Sequence, residues 1–170
     1  MPRDVISDPT QRNTLIVLTL VPAVLAFSLL LAHVLEIAGK LQLDARSWLM
    51  VQQHLYIAFA PTGAICEIAA IILSWAVFVR NRHTPGRISA LIAALCFSAA
   101  LALWFILVAP MNDRINAWTP ARLPTNWQAA RNRWEIGHGL ALLLYAAGIL
   151  PLARLLFVSA DGVARRARPP

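Results

Sequence analysis

Residues 13–32 read NTLIVLTLVPAVLAFSLLLA, and residues 88–111 read ISALIAALCFSAALALWFILVAPM. Neither stretch holds a charged side chain. A helix rising about 1.5 Å per residue needs roughly 20 apolar residues to cross a hydrocarbon core about 30 Å thick. Backbone polar groups inside lipid must be satisfied within the segment, and a helix does this by itself. These two stretches therefore predict transmembrane helices, and the rest of the chain is read outward from them.

Two further runs have the same character. The spans are expected at about 14–38, 48–79, 88–111 and 134–158, with a bend at Pro61 in the second and a basic tail over 159–170 read as disordered. Gly39 ends the first span, Pro85-Gly86 breaks the chain between the second and third, and Pro120 and Pro124 mark a polar loop before the fourth. Short connections favour antiparallel neighbours, so the expected fold is all-α, an up-down-up-down bundle of four transmembrane helices in a single domain over 1–170. No small-x-small cleavage pattern follows the first run, which is read as an uncleaved span.

Composition agrees. The chain is 59% hydrophobic and 14% charged, too little polar sequence to cover a soluble domain. The net charge of +7 sits at the ends of apolar runs, where it meets phospholipid headgroups. No basic face interleaved with aromatics exists, which argues against nucleic acid as a partner. Cys66 and Cys96 lie inside apolar runs without metal or disulfide spacing and read as small buried hydrophobes.

Lys and Arg number nine on the side holding the N-terminus, the 80–87 turn and the tail, and six on the other. The positive-inside rule then puts both termini in the cytoplasm. Trp48, Tyr56, Trp118, Trp127 and Trp134 are expected as an aromatic belt at the outer interface.

Ionisable residues inside spans are costly and call for a reason. Measured up from the inner helix ends, Glu67 falls at about 20 Å, His138 at about 24 Å, Glu135 at about 29 Å and His33 at about 30 Å. Three helices thus bring four such groups to one layer of the outer half. His33/Glu36 and Glu135/His138 are each three apart and share a helix face. Glu-x-x-His pairs from two helices plus further carboxylates build di-metal centres in four-helix bundles. His33, Glu67, Glu135 and His138 are accordingly candidate catalytic residues, or alternatively ligands for iron, copper or zinc. The match is partial, because the third span offers no carboxylate. Tyr145, two turns below His138, is expected to reach the same cavity. Glu36 has a simpler reading as the partner of Lys40, four residues on, and His54 as an interfacial residue.

Pro110-Met111-Asn112 closing the third span, followed by Arg131-Asn132-Arg133-Trp134-Glu135-Ile136-Gly137-His138 opening the fourth, resembles the anthrone oxygenase-like family of small four-span membrane proteins. The resemblance covers about residues 15–158 and is strongest over the last sixty. It implies oxidation of a lipophilic aromatic small molecule, with Asn112, Trp134 and His138 as the matching site residues; Asn112, Trp134 and Tyr145 are the expected substrate contacts. The His33–Glu36 pair has no clear counterpart in the fungal members. Two function classes follow: a membrane oxidoreductase working at the His/Glu layer, and a non-catalytic accessory or binding protein in which that layer sets helix register.

Overall fold

Large apolar side chains such as Val17, Leu18, Leu25, Ile65, Ile72, Leu95, Leu143 and Leu150 stand exposed on the helix surfaces. Alanine is the commonest buried residue, at nine of the 24 buried hydrophobic positions among the described residues. A soluble core has the opposite arrangement; large residues outward and small ones inward is what helices immersed in lipid require. The computed structural model describes the backbone of residues 9–166 and side chains of 10–157. Arg3, Arg168 and the last residues of the expected tail lie outside the described backbone.

Among the described residues every regular element is helical: α1 (Pro9–Lys40), α2 (Ala45–Leu55), α3 (Phe59–Asn81), α4 (Arg87–Leu103), a π-helical turn (Trp104–Val108), α5 (Ala109–Ala117) and α6 (Trp127–Arg166). Four spans cross the bilayer: Thr10–Lys40, Phe59–Asn81, Arg87–Ala117 and Trp127–Phe157. The protein is a multi-pass membrane bundle. α1 packs on α3 and α6, and α4 packs on the same two, so the spans form a ring of antiparallel neighbours.

Three of the four expected spans need correction. The stretch 48–79 is two helices, not one bent span. Pro61 falls in the first turn of α3, where its missing N–H leaves no helical carbonyl unpaired, so it starts the span instead of kinking it. α2 is a separate amphipathic helix capped by Asp44, whose carboxylate accepts from the backbone N–H groups of Arg46 and Ser47 at 2.9 and 3.0 Å. The Ser47 backbone and hydroxyl bonds hold the Asp44 carboxyl below its ordinary range, so this cap is present at neutral pH and is lost as acid protonates it.

The third span runs through Pro110 to Ala117 and does not close at Met111. In an α-helix the Pro110 ring would clash with the Ile106 carbonyl and leave it without a donor. Here the chain widens, with the Ala109 N–H donating to the Trp104 carbonyl, and Arg133 donates to the Ile106 carbonyl from its guanidinium at 2.8 Å. The fourth helix starts seven residues before Trp134 and continues to Arg166, beyond the expected end at 158.

Two buried clusters hold the bundle. One lies along the spans and joins Ala23, Ala26, Ala70, Ala90, Ala93, Phe97 and Tyr145. Gly148 makes it possible: a Cβ there would sit 2.5 Å from the Phe97 ring, which is itself fully buried and stacked on Tyr145. Gly148→Ala should therefore destabilise the folded protein by about 1–3 kcal/mol through overpacking, seen as a lower midpoint in detergent-monitored thermal unfolding. The second cluster gathers Trp48, Leu49, Val108, Met111, Ile115, Trp127 and Trp134 at the Lys40 end. The belt expected for Trp48, Trp127 and Trp134 is thus corrected. α2 folds back against α5, and these three rings become core.

Candidate functional site

α1 and α6 meet at His33 and His138. The two imidazole rings are 4.5 Å apart between centroids and both are buried. Trp134 lies 4.0 Å from the His138 ring and 4.9 Å from His33, while Tyr56 and Phe59 flank His33 at 4.6 and 5.1 Å. Gly137 lets α6 come this close to the third span: a Cβ there would stand 2.6 Å from Val108 Cγ2. The π-helical turn and the glycine are therefore matched surfaces, and together they set His138 and Trp134 at the wall of a cavity.

That cavity has a volume of about 500 Å³. Its polar lining includes His33, Gln52, Gln53, Glu67, Asn112 and His138; its apolar wall includes Phe59, Gly63, Leu101, Trp104 and Trp134. A chamber of this size suits a ligand of a few fused rings.

The hydrogen bonds fix how these groups can act. His138 Nδ1 lies 2.9 Å from the Trp134 carbonyl oxygen. A carbonyl only accepts, so Nδ1 carries a proton, and in the neutral imidazole Nε2 then keeps its lone pair. Trp134 Nε1 donates to Asn112 Oδ1 at 2.7 Å, which fastens the indole to the third span. His33 Nδ1 and Gln52 Nε2 are buried without a hydrogen-bond partner. Buried polar groups rarely go unpaired, and both of these residues line the chamber.

Of the residues singled out from sequence, His33, Glu67, Asn112, Trp134 and His138 all line the cavity. Glu135 does not. It is buried beside the cavity wall, where its Oε1 meets Lys40 Nζ at 3.4 Å. Lys40 Nζ also lies 3.3 Å from Glu36 Oε2 and rests over the Tyr56 and Trp134 rings at 4.8 and 4.9 Å. The Tyr56 hydroxyl donates to the same Glu36 oxygen. Glu135 and His138 share a helix face by spacing, yet Lys40 draws the carboxylate toward the bundle end.

Tyr145 is also corrected. It lies fully buried against Phe97, 4.9 Å between ring centroids, and is not part of the cavity wall. Long aromatic side chains on a helix lean toward its N-terminal end, but packing on Phe97 decides this one.

The four-residue metal set is not assembled. Among the described residues no three His, Cys, Asp or Glu side chains are grouped so as to hold one ion. Glu135 is engaged by Lys40, and although the two histidines adjoin, Glu67 does not complete a three-ligand group with them. The residues present do not fit a di-metal centre of the ferritin type.

Lys40, Tyr56, Gln52 and Trp104 are site residues that sequence reasoning missed or placed elsewhere. One signal existed for Lys40: it is seven residues from His33, so both fall on one stripe of α1. No protein family, curated protein or solved structure matches the chain.

Proposed function

We propose that the protein is a membrane oxidoreductase that oxidises a lipophilic aromatic molecule bearing an acidic C–H beside a carbonyl. The single observation that carries this reading is His138. Its Nδ1–H is committed to a backbone carbonyl, which leaves Nε2 of the neutral imidazole as an acceptor on a residue that lines a chamber walled by aromatic rings. A neutral imidazole placed this way is a general base.

The orphan donors supply the complementary half. As the base withdraws a proton from carbon, negative charge moves onto the neighbouring carbonyl oxygen, and Gln52 Nε2 and a protonated His33 Nδ1 would donate to it. The stabilised carbanion then adds molecular oxygen. Protonation gives a hydroperoxide, and loss of water leaves a new carbonyl, so an anthrone and dioxygen become an anthraquinone and water. Trp134 and Phe59 offer faces for the rings, and Asn112 steadies Trp134. The resemblance to anthrone oxygenases points to the same substrate class.

The side of the membrane follows from charge. With nine of the fifteen Lys and Arg on the side of the termini, the cavity lies in the outer half of the bilayer and both termini are cytoplasmic.

A second reading draws on the Glu36–Lys40–Glu135 group, which lies off the cavity wall and looks built to fix helix register; extended to the whole layer, it makes the protein a non-catalytic membrane accessory.

The two are separated by supplying anthrone to the purified protein in nanodiscs. The expected result is oxygen uptake equimolar with quinone formation, at a rate proportional to protein. Quinone formation no faster than in empty nanodiscs, from protein whose cavity binds anthrone, would reject the enzyme.

A further inference from the structure

The cavity is only partly enclosed. α1 and α6 close it with His33, Trp134 and His138. α2 covers the Lys40 end, where Gln53 Nε2 donates to the carbonyls of Ile115 and Trp118 at 2.8 and 3.0 Å and ties α2 to the end of the third span. One thinly packed side is the seam between α3 and the outer part of the third span. α3 packs on α4, but it makes almost no contact with the π-helical turn or with α5.

The edges of that seam are apolar. Ile68 on α3 and Phe105 on the π-helical turn both line the cavity and are 51% and 61% exposed. Both lie inside membrane spans, so their exposed faces meet acyl chains and not water. Beside them Glu67 lines the cavity and, among the described residues, takes part in no ion pair. Gly63 and Ala64 on the same helix leave room above it; a Cβ on Gly63 would meet only Leu29, at 3.9 Å.

We propose that the ligand of this site is an uncharged amphiphile dissolved in the bilayer, which enters sideways between α3 and the third span with its polar end leading. Glu67 is the first polar group it meets, and His33, Gln52 and His138 receive its head while its apolar body fills the seam. A permanently charged ligand would face desolvation among acyl chains before reaching any partner. This deepens the reading of the cavity as a substrate site and rests on it.

The route is tested without turnover, by carbodiimide chemistry on the protein in phosphatidylcholine vesicles. The Glu67 carboxyl proton passes to a carbodiimide nitrogen, the carboxylate oxygen adds to the central carbon, and the O-acylisourea rearranges to a stable N-acylurea. Dicyclohexylcarbodiimide reaches such a group from lipid, and a cationic water-soluble carbodiimide reaches it only from water. Glu36, with its side chain 44% exposed near the bundle end, serves as the internal control for water access.

Peptide mass spectrometry should show Glu67 modified by the lipophilic reagent alone. The labelling rate should saturate with reagent and fall when unreactive dicyclohexylurea is added first. The adduct should vanish in Glu67→Gln. Modification of Glu67 by the water-soluble reagent would overturn the route. So would resistance of Glu67 to both reagents while Glu36 reacts, or unsaturable labelling that the urea does not slow. A protein that labels as expected but never oxidises anthrone loses the enzyme reading and keeps the entrance. An active protein labelled only from water does the reverse.

Discussion

His138→Gln should leave the bundle folded and slow anthrone oxidation by about 10²–10⁴-fold, the usual contribution of a positioned general base. Glutamine is chosen because its amide can still donate to the Trp134 carbonyl, as His138 Nδ1 does at 2.9 Å, and because it nearly fills the same volume. What it lacks is a basic nitrogen. Folding is checked by gel filtration and by the fluorescence of Trp134, whose ring lies 4.0 Å from the imidazole. If the folded variant turns over at the parent rate, His138 is a packing residue and the proposed chemistry is lost. If the variant fails to fold, His138→Asn gives the same comparison with a shorter amide.

The second large effect is on stability. Lys40 is 4% exposed and stands between Glu36 and the buried Glu135. Removing one member of a buried charged group is far worse than never having had it, because the remaining charge is left without compensation. Lys40→Met keeps the length and apolar stem of the side chain while deleting the ammonium. It should cost about 3–5 kcal/mol, most of it the penalty of isolating Glu135. Adding Glu135→Gln should recover much of that loss, since neither buried position would then carry charge. Denaturation in mixed micelles measures both. Equal stability of Lys40→Met and parent would mean that the Glu135 carboxyl is neutral in the folded protein.

The same group explains why the site was only partly readable beforehand. Counting along the helices put His33, Glu67, Glu135 and His138 in one layer from residue number and a fixed rise, and three of the four line one cavity. The three-residue spacing puts Glu135 and His138 on one face, but a face is wide. Which partner each side chain reaches is decided by the neighbouring helix, and Lys40 reaches Glu135 from α1. Tyr145 failed for the same reason: its position on α6 permitted the cavity, and Phe97 on α4 took it instead.

Hydropathy alone determined that four helices cross a bilayer, since burying apolar surface in lipid is additive along a segment and needs no knowledge of the other spans. Tertiary structure decided the rest. It separated α2 from α3 at residues 56–58, carried the third span through Pro110 by a π-helical turn, and rotated each helix until His33 met His138. Rotation about a helix axis leaves total hydropathy unchanged, so composition is blind to it; close contacts such as Gly137 on Val108 and Gly148 on Phe97 are what fix it.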